Sequence, residues 1–242
     1  MKRKGLSVVL KTKKVDLHSA LARGAWYAGL DADTQARMEA SGRVRNVRRA
    51  EVFIKQGDEA SGLYALMDGQ ARAQTTAPSG KTALLSVLHP GDFFAFIAAA
   101  DGRPHTMDHV ASVDSVIFML PYPMVREIFA ADPKLYVYLI DPQMVLVRRL
   151  VEYLTTTIRL SPMQRLAERL LEFSRSHYFP EGEHMPLLGL SQELLASAVL
   201  CTRQTTNELL GELQTRGLIK SEYGRIDILD ADGLRKIHQS NN

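Results

Sequence analysis

Through the first half of the chain, short apolar runs alternate with polar residues and are cut at nearly even intervals by glycine. Gly57 in KQGD, Gly69 in MDGQ, Gly80 in PSGK and Gly91 in HPGD stand 12, 11 and 11 residues apart. This spacing suits short antiparallel strands joined by tight turns, because glycine reaches the positive φ such turns require. Between the turns lie LYALM, ARAQTT and ALLSVL, and DSVIFML (114–120) closes the set. The pattern predicts a β-roll or small barrel, an architecture whose mouth commonly holds a ligand.

After ADPK the period changes. Met144, Val147, Val151, Leu154 and Ile158 recur at spacings of 3, 4, 3 and 4, one seam of a helix about four turns long. Asp141 and Pro142 suit the N-cap and first helical position, with Ile140 stapled to Val145, so the helix is expected to start near Pro142. The seam predicts pairing of two copies; packing on its own domain is the alternative. LSPMQRL then opens a new helix, with Ser161 as cap, Pro162 at the first position and Gln164 completing a capping box. Its apolar face is Leu166, Leu170, Leu171 and Phe173, and it runs down to the loop FPEGEHMP.

Two further helices, SQELLASAV and TRQTTNELLGELQT, are separated by a few residues around Leu200 and Cys201, with Ser191 and Thr202 as N-caps. At 100° per residue, Thr206, Leu209, Leu210 and Leu213 fall on one side of the second helix. Arg203, Gln204, Asn207 and Glu208 fall on the other. That polar face is not a ladder of charge pairs. It gathers forked groups that match base edges in the major groove: arginine to guanine, glutamine or asparagine to adenine, glutamate to cytosine. RGLIKSEYGRIDIL supplies a C-cap glycine, Gly217, and a two-stranded wing turning at Tyr223 and Gly224, with Ile226 and Ile228 facing one way. Helix, turn, helix and wing describe a winged helix-turn-helix, whose second helix enters the groove.

Composition narrows the function without adding chemistry. At 242 residues and 45% hydrophobic, the chain can bury a sizeable core in one or two domains. Its longest early apolar run, LSVVL, is too short for a signal sequence or a membrane span, so a cytoplasmic location and no membrane partner are expected. Residues 1–50 carry 12 Lys and Arg against 4 Asp and Glu; residues 51–160 carry 9 against 12, and residues 161–242 carry 9 against 11. The basic excess is N-terminal and predicts a solubilising extension over 1–24. No Gly-x-Ser-x-Gly elbow, phosphate loop or His-Glu-x-x-His occurs, and Asp92, His105 and Asp108 suit turns and loops, which argues against an enzyme and leaves no catalytic or metal site. A protein-interaction or ligand-binding module that keeps the helix-turn-helix fold without reading DNA is the competing class.

At this point the chain resembles the bacterial regulators of the cyclic-AMP receptor protein and fumarate-nitrate reduction (Crp/Fnr) family. The resemblance spans roughly residues 25–235 and rests on FIKQGDEASGLYALMDGQARA, LHPGDFFAF, the long helix and LSQELLASAVLCTRQTTNELLGELQTRGLI. It implies an α+β chain: a jelly-roll, cyclic-nucleotide-binding-like sensor over 25–132, a dimerisation helix over 133–160 and a winged helix-turn-helix over 161–242. It further implies a homodimer on palindromic double-stranded DNA, read by Arg203, Gln204, Asn207 and Glu208, with Ser191 and Thr202 near phosphate. RNA polymerase is a partner if the protein activates. Two departures stand out. Leu200 occupies a turn position often held by glycine, so the turn is expected to find another conformation. Glu208 stands where many relatives have arginine, so the operator cannot be copied from them.

The sensor departs further. In the family a glutamate and, after a short loop, an arginine and a serine hold ribose and phosphate. In GDFFAFIAAADGRPHTMDHV these become Phe96, His105 and Thr106, and the polar pair on the central helix becomes Leu150 and Val151. Arg103 is the nearby cation. An apolar wall facing a charged nucleotide argues against cyclic AMP. The single cysteine, Cys201, excludes an iron-sulfur cluster ligated by this chain, while His89, His105 and His109 leave haem conceivable. Effector, operator and sign of regulation stay open.

Overall fold

The four punctuating glycines adopt positive φ, from 81° at Gly80 to 100° at Gly91, each in a turn or bend beside a strand. The computed structural model describes residues 7–10, 13–157, 159–176 and 184–239. A hairpin of β1 (Ser7–Leu10) and β2 (Lys13–Asp16) leads into three helices, α1 (Leu17–Leu21), α2 (Ala25–Ala28) and α3 (Ala32–Ser41). The roll follows: β3 (Arg43–Val47), β4 (Val52–Ile54), β5 (Gly62–Asp68), β6 (Ala71–Thr76), β7 (Thr82–Leu88), β8 (Phe93–Phe94), α4 (Phe96–Asp101), β9 (Asp108–Ala111) and β10 (Ser115–Pro121), then α5 (Tyr122–Ala131). Its strands form two antiparallel sheets, ordered β3-β10-β5-β8 and β4-β9-β6-β7. The strands expected from the sequence are β5, β6, β7 and β10; the other four complete the roll.

Residues 17–21, expected within the extension, pack on the core. Leu17, Ala20 and Leu21 of α1 are buried and share one core with Trp26, Tyr27, Phe93, Phe96, Phe118 and Phe129. Three apolar side chains on a five-residue helix give that segment a reason to dock, despite the basic residues before it.

The long helix α6 (Tyr136–Thr157) starts six residues before Pro142, directly after a 3-10 turn at Pro133–Leu135. Pro142 therefore lies inside the helix rather than at its first position, and Ile140 and Val145 are both exposed, so the expected staple does not form. Proline has no N–H to give the carbonyl four residues earlier, Tyr138. The Trp26 indole Nε1 donates to that carbonyl instead. Leu139 anchors the first turns in the sensor core. Beyond it, Met144, Val147, Val151 and Leu154 stay about half exposed, 48 to 59%, and Val137 and Ile140 extend the same 3-4 seam backward. Ile158 lies outside the described residues.

The last domain packs α7 (Pro162–Phe173), α8 (Gln192–Val199), α9 (Arg203–Thr215) and α10 (Ala231–Gln239) beside β11 (Leu187–Leu188), β12 (Ile219–Glu222) and β13 (Arg225–Ile228). Ser161 and Gln164 form the reciprocal capping box. Leu166, Leu170, Phe173, Leu195, Leu210, Leu213 and Leu234 build the core. The wing sheet has three strands, ordered β11-β13-β12, rather than the expected two.

Sensor and winged domain meet across a buried polar seam. Leu84 and Val87 of β7 join the winged-domain core, and the Leu84 amide donates to Ser197 Oγ at 3.1 Å. Gln70, buried just before β6, accepts from the Leu188 amide at 2.6 Å and donates to the Pro186 carbonyl at 2.8 Å, acting as a neighbouring strand for β11. His89 Nε2 donates to the Phe173 carbonyl at 2.7 Å, which leaves Nδ1 to accept from Gln70 Nε2 at 3.3 Å. Burial holds the His89 pKa below its ordinary value, with the Phe173 bond opposing that shift. Asp92, expected as a turn residue, accepts from the His89 amide within its turn and also from the Ser176 hydroxyl across the seam.

Candidate nucleic-acid interface

The polar face of α9 is aimed by the turn before it. α8 ends at Leu200, which takes the left-handed conformation, φ 53° and ψ 44°, and the Leu200 and Cys201 amides both donate to the Ala196 carbonyl. The expectation of a different turn is thus corrected: leucine adopts the glycine-like conformation, with its side chain exposed. Thr202 then caps α9 through the Thr205 amide at 3.1 Å, as Ser191 caps α8 through the Leu194 amide at 3.1 Å. Both cap residues are exposed.

Thr206, Leu210 and Leu213 face the core, and the Thr206 hydroxyl donates to the Thr202 carbonyl at 2.9 Å. Arg203, Gln204 and Glu208 are exposed and Asn207 is half-buried. Gln192, at the start of α8, ties the two helices together. Its Oε1 accepts from Asn207 Nδ2 at 2.8 Å and from Arg203 Nε at 3.3 Å. Gln204 Nε2 donates to Glu208 Oε1 at 3.1 Å, along the helix. The four forked groups are therefore held as two pairs, which lowers the rotamer entropy lost when they meet a base edge. Gln192 carries no local signal in the sequence, being separated by 11 and 15 positions from the residues it orients.

The wing tip carries Tyr223, fully exposed, and Gly224 at φ 71°. Arg225 makes a two-pronged pair with Asp227, both N–O distances 2.7 Å, and this bond holds the Asp227 carboxyl below its usual range. Between wing, α8 and α9 lies a cleft of about 640 Å³, and Arg49 of the sensor domain lines it too.

Both domains resemble known proteins. Residues 44–132 match the model of the Cyclic nucleotide-binding domain, and residues 164–237 that of the Crp-like helix-turn-helix domain. Transcriptional regulator SdrP of Thermus thermophilus is 30% identical over 180 residues, covering 73% of this chain and 84% of that protein. The chain belongs to the Crp/Fnr family of transcription regulators. Another Crp/Fnr relative, the CRP-like cAMP-activated global transcriptional regulator of Mycobacterium tuberculosis, is 24% identical over 217 residues, 89% of this chain and 97% of that one. Among solved structures, FixK2 of Bradyrhizobium japonicum shares the fold with a TM-score of 0.70 at 18% identity, covering 83% of this chain and 99% of its own. As a Crp/Fnr member the chain is a DNA-binding transcription regulator, not an enzyme.

The candidate pocket residues of this Crp/Fnr protein differ in burial. Phe96 is buried in the helical core, edge-on to Trp26 with centroids 5.3 Å apart. Arg103 and Thr106 are exposed, and Leu150 and Val151 stand exposed on α6. His105 is buried: Nε2 accepts from the Ser61 amide at 3.3 Å and lies 2.8 Å from Ser61 Oγ. An accepting Nε2 is unprotonated, in keeping with a pKa pushed down by burial and only partly raised by Asp58. His109 lies stacked on Phe94, centroids 4.9 Å apart, and burial, with His105 adding to it, pushes its pKa down to about 3. Phe94 also stacks on Tyr64 at 5.7 Å. A neutral His109 beside Phe53 and Phe94 offers no charge to an anion. Of the three haem candidates, His89 engages both ring nitrogens and His105 accepts at Nε2. The His109 Nδ1 has no hydrogen-bond partner among the described residues.

Proposed function

We propose that two copies pair through α6 and read a palindromic operator with α9, under an effector that is not a cyclic nucleotide. The observation that carries the DNA-reading part is the α9 face, where Arg203 and Asn207 share the Gln192 acceptor and Gln204 pairs with Glu208. Such forked groups discriminate bases by about 1 to 3 kcal/mol per bidentate pair. Ser191 and Thr202, capping the two helices beside that face, are the residues for phosphate. Pairing is supported by the half-exposed seam from Val137 to Leu154. Two half-sites about 34 Å apart would follow from that symmetry.

An uncharged or apolar effector fits the sensor better than a cyclic phosphate, because His105 and His109 are held neutral and Phe96 is turned into the helical core. Selection of bound duplexes from a random pool tests the base-reading face. The wild type should yield an inverted repeat, Arg203→Ala should relax one symmetric position, and Glu208→Arg should shift its base from cytosine toward guanine. Motifs unchanged in both variants would remove the α9 face from base reading. Calorimetry with cyclic AMP and cyclic GMP tests the sensor, where micromolar binding of either would overturn that part.

A further inference from the structure

The cleft beside α9 is lined from both domains. Ser191 and Gln192 of the α8 start, Arg203 of α9 and Tyr223 of the wing tip face it from the winged domain, and Arg49 faces it from the sensor. Arg49 lies in the turn between β3 and β4, and that turn is fixed at each residue. The Arg48 amide donates to Glu51 Oε2 at 2.9 Å, the Arg49 amide to Asp114 Oδ1 at 2.8 Å, and the Ala50 amide to the Ala111 carbonyl at 2.8 Å. Ala50 is held at φ 67°, in the left-handed region, and the Glu51 amide closes the turn onto the Arg48 carbonyl at 3.0 Å.

A rigid turn thus carries one exposed guanidinium to the edge of the base-reading face. Arg225 is committed to Asp227, and Arg203 leans on Gln192. Among the described residues, no ion pair or side-chain hydrogen bond engages the Arg49 guanidinium. Glu193 and Glu222 also line the cleft, and Glu222 is paired with Lys220 at 2.8 Å. An unpaired, always-charged donor beside a groove-reading helix suits a phosphate oxygen, which guanidinium binds in a two-pronged fashion.

We infer that the sensor domain itself grips the DNA: Arg49 binds a backbone phosphate of the strand passing between wing and roll. The inference rests on the DNA-reading role of α9 and adds a contact that only the docked arrangement of the two domains supplies. Each phosphate neutralised contributes about 0.9 to the slope of log affinity against log salt, so two Arg49 residues in a dimer account for a slope of roughly 2, or roughly 30-fold in affinity at 0.15 M salt.

The test titrates wild type, Arg49→Ala and Arg49→Lys against the selected operator and a scrambled duplex of equal length, from 0.05 to about 0.3 M salt. Arg49→Ala is expected to weaken both duplexes alike by roughly 30-fold at 0.15 M and to lower the salt slope by roughly 2, with Arg49→Lys recovering most of the slope. Unchanged affinity and slope in Arg49→Ala would overturn the contact, as would a loss confined to the operator, which marks base readout. A wild type that binds operator and scrambled duplex equally would instead sink the α9 reading, leaving the Arg49 slope as a separate measurement.

Discussion

The indole nitrogen of Trp26 donates to the carbonyl of Tyr138, the one carbonyl of α6 that Pro142 cannot serve. An N-terminal helix of four residues thereby supplies a hydrogen bond to the central helix more than a hundred positions away. The same ring packs on Phe93, centroids 4.6 Å apart, so roll, N-terminal helices and α6 converge on one side chain.

Trp26→Phe keeps much of the ring packing and removes the donor. It should cost about 1 to 3 kcal/mol, the usual penalty for a carbonyl left unsatisfied in a largely buried place. Pro142→Ala restores a backbone donor to Tyr138, so the penalty of Trp26→Phe should shrink in the Pro142→Ala background. A double-mutant cycle by urea unfolding reads this coupling, and strict additivity would show that the two residues act independently.

Leu200→Gly should stabilise the winged domain by about 1 kcal/mol, because glycine holds the left-handed conformation without steric cost and little packing is lost from an exposed side chain. Thermal unfolding compares the variant with wild type. A lower midpoint would mean that the Leu200 side chain contributes more than its backbone strain costs.

Val151→Asp with Leu154→Asp places charge in the middle of the seam and should convert dimers into monomers. Sedimentation equilibrium gives the mass, and far-ultraviolet dichroism shows whether α6 survives. A folded dimer of the variant would remove the seam from the interface.

Stability should fall in acid because His109 is buried neutral. The unfolded chain takes up a proton near pH 6.5, whereas the folded chain resists it until about pH 3. His109 therefore costs nothing above the unfolded pKa, and its penalty grows as pH falls through that window, reaching about 2 kcal/mol at pH 5. His89 and His105, also lowered by burial, add in the same direction. Urea midpoints at pH 7.5 and 5.0 measure the loss, and His109→Phe should reduce it.

The parts legible in the sequence were those with a strong period or an unambiguous local cue. Gly57, Gly69, Gly80 and Gly91 marked turns because positive φ is written into glycine, and Ser161 with Gln164 marked a helix start through one reciprocal bond. The alternation on α9 separated Thr206 and Leu210 from Arg203 and Gln204 through geometry alone. What stayed hidden depends on distant partners. Pro142 gave a sound local cue for a helix start, overridden because Leu139 is anchored in the sensor core and Trp26 meets the freed carbonyl. α1 and α2 are too short to show a period, and β8 and β11 have two residues each. Gln192 and Arg49 carry no local signature, since their significance lies in what the fold brings next to them.

The side-chain amide of Gln70 also has a mechanical meaning. By occupying the free edge of β11 it makes one strand of the wing sheet ride with the roll, while Leu187 and Leu188 of that strand pair with Ile226 and Arg225 just behind the wing tip. A swivel between the domains must break both amide bonds together, at a glutamine that is itself buried. The joint should therefore behave as a latch that is either shut or sprung, and whatever springs it withdraws the wing and the base-reading helix from their shared register in a single step.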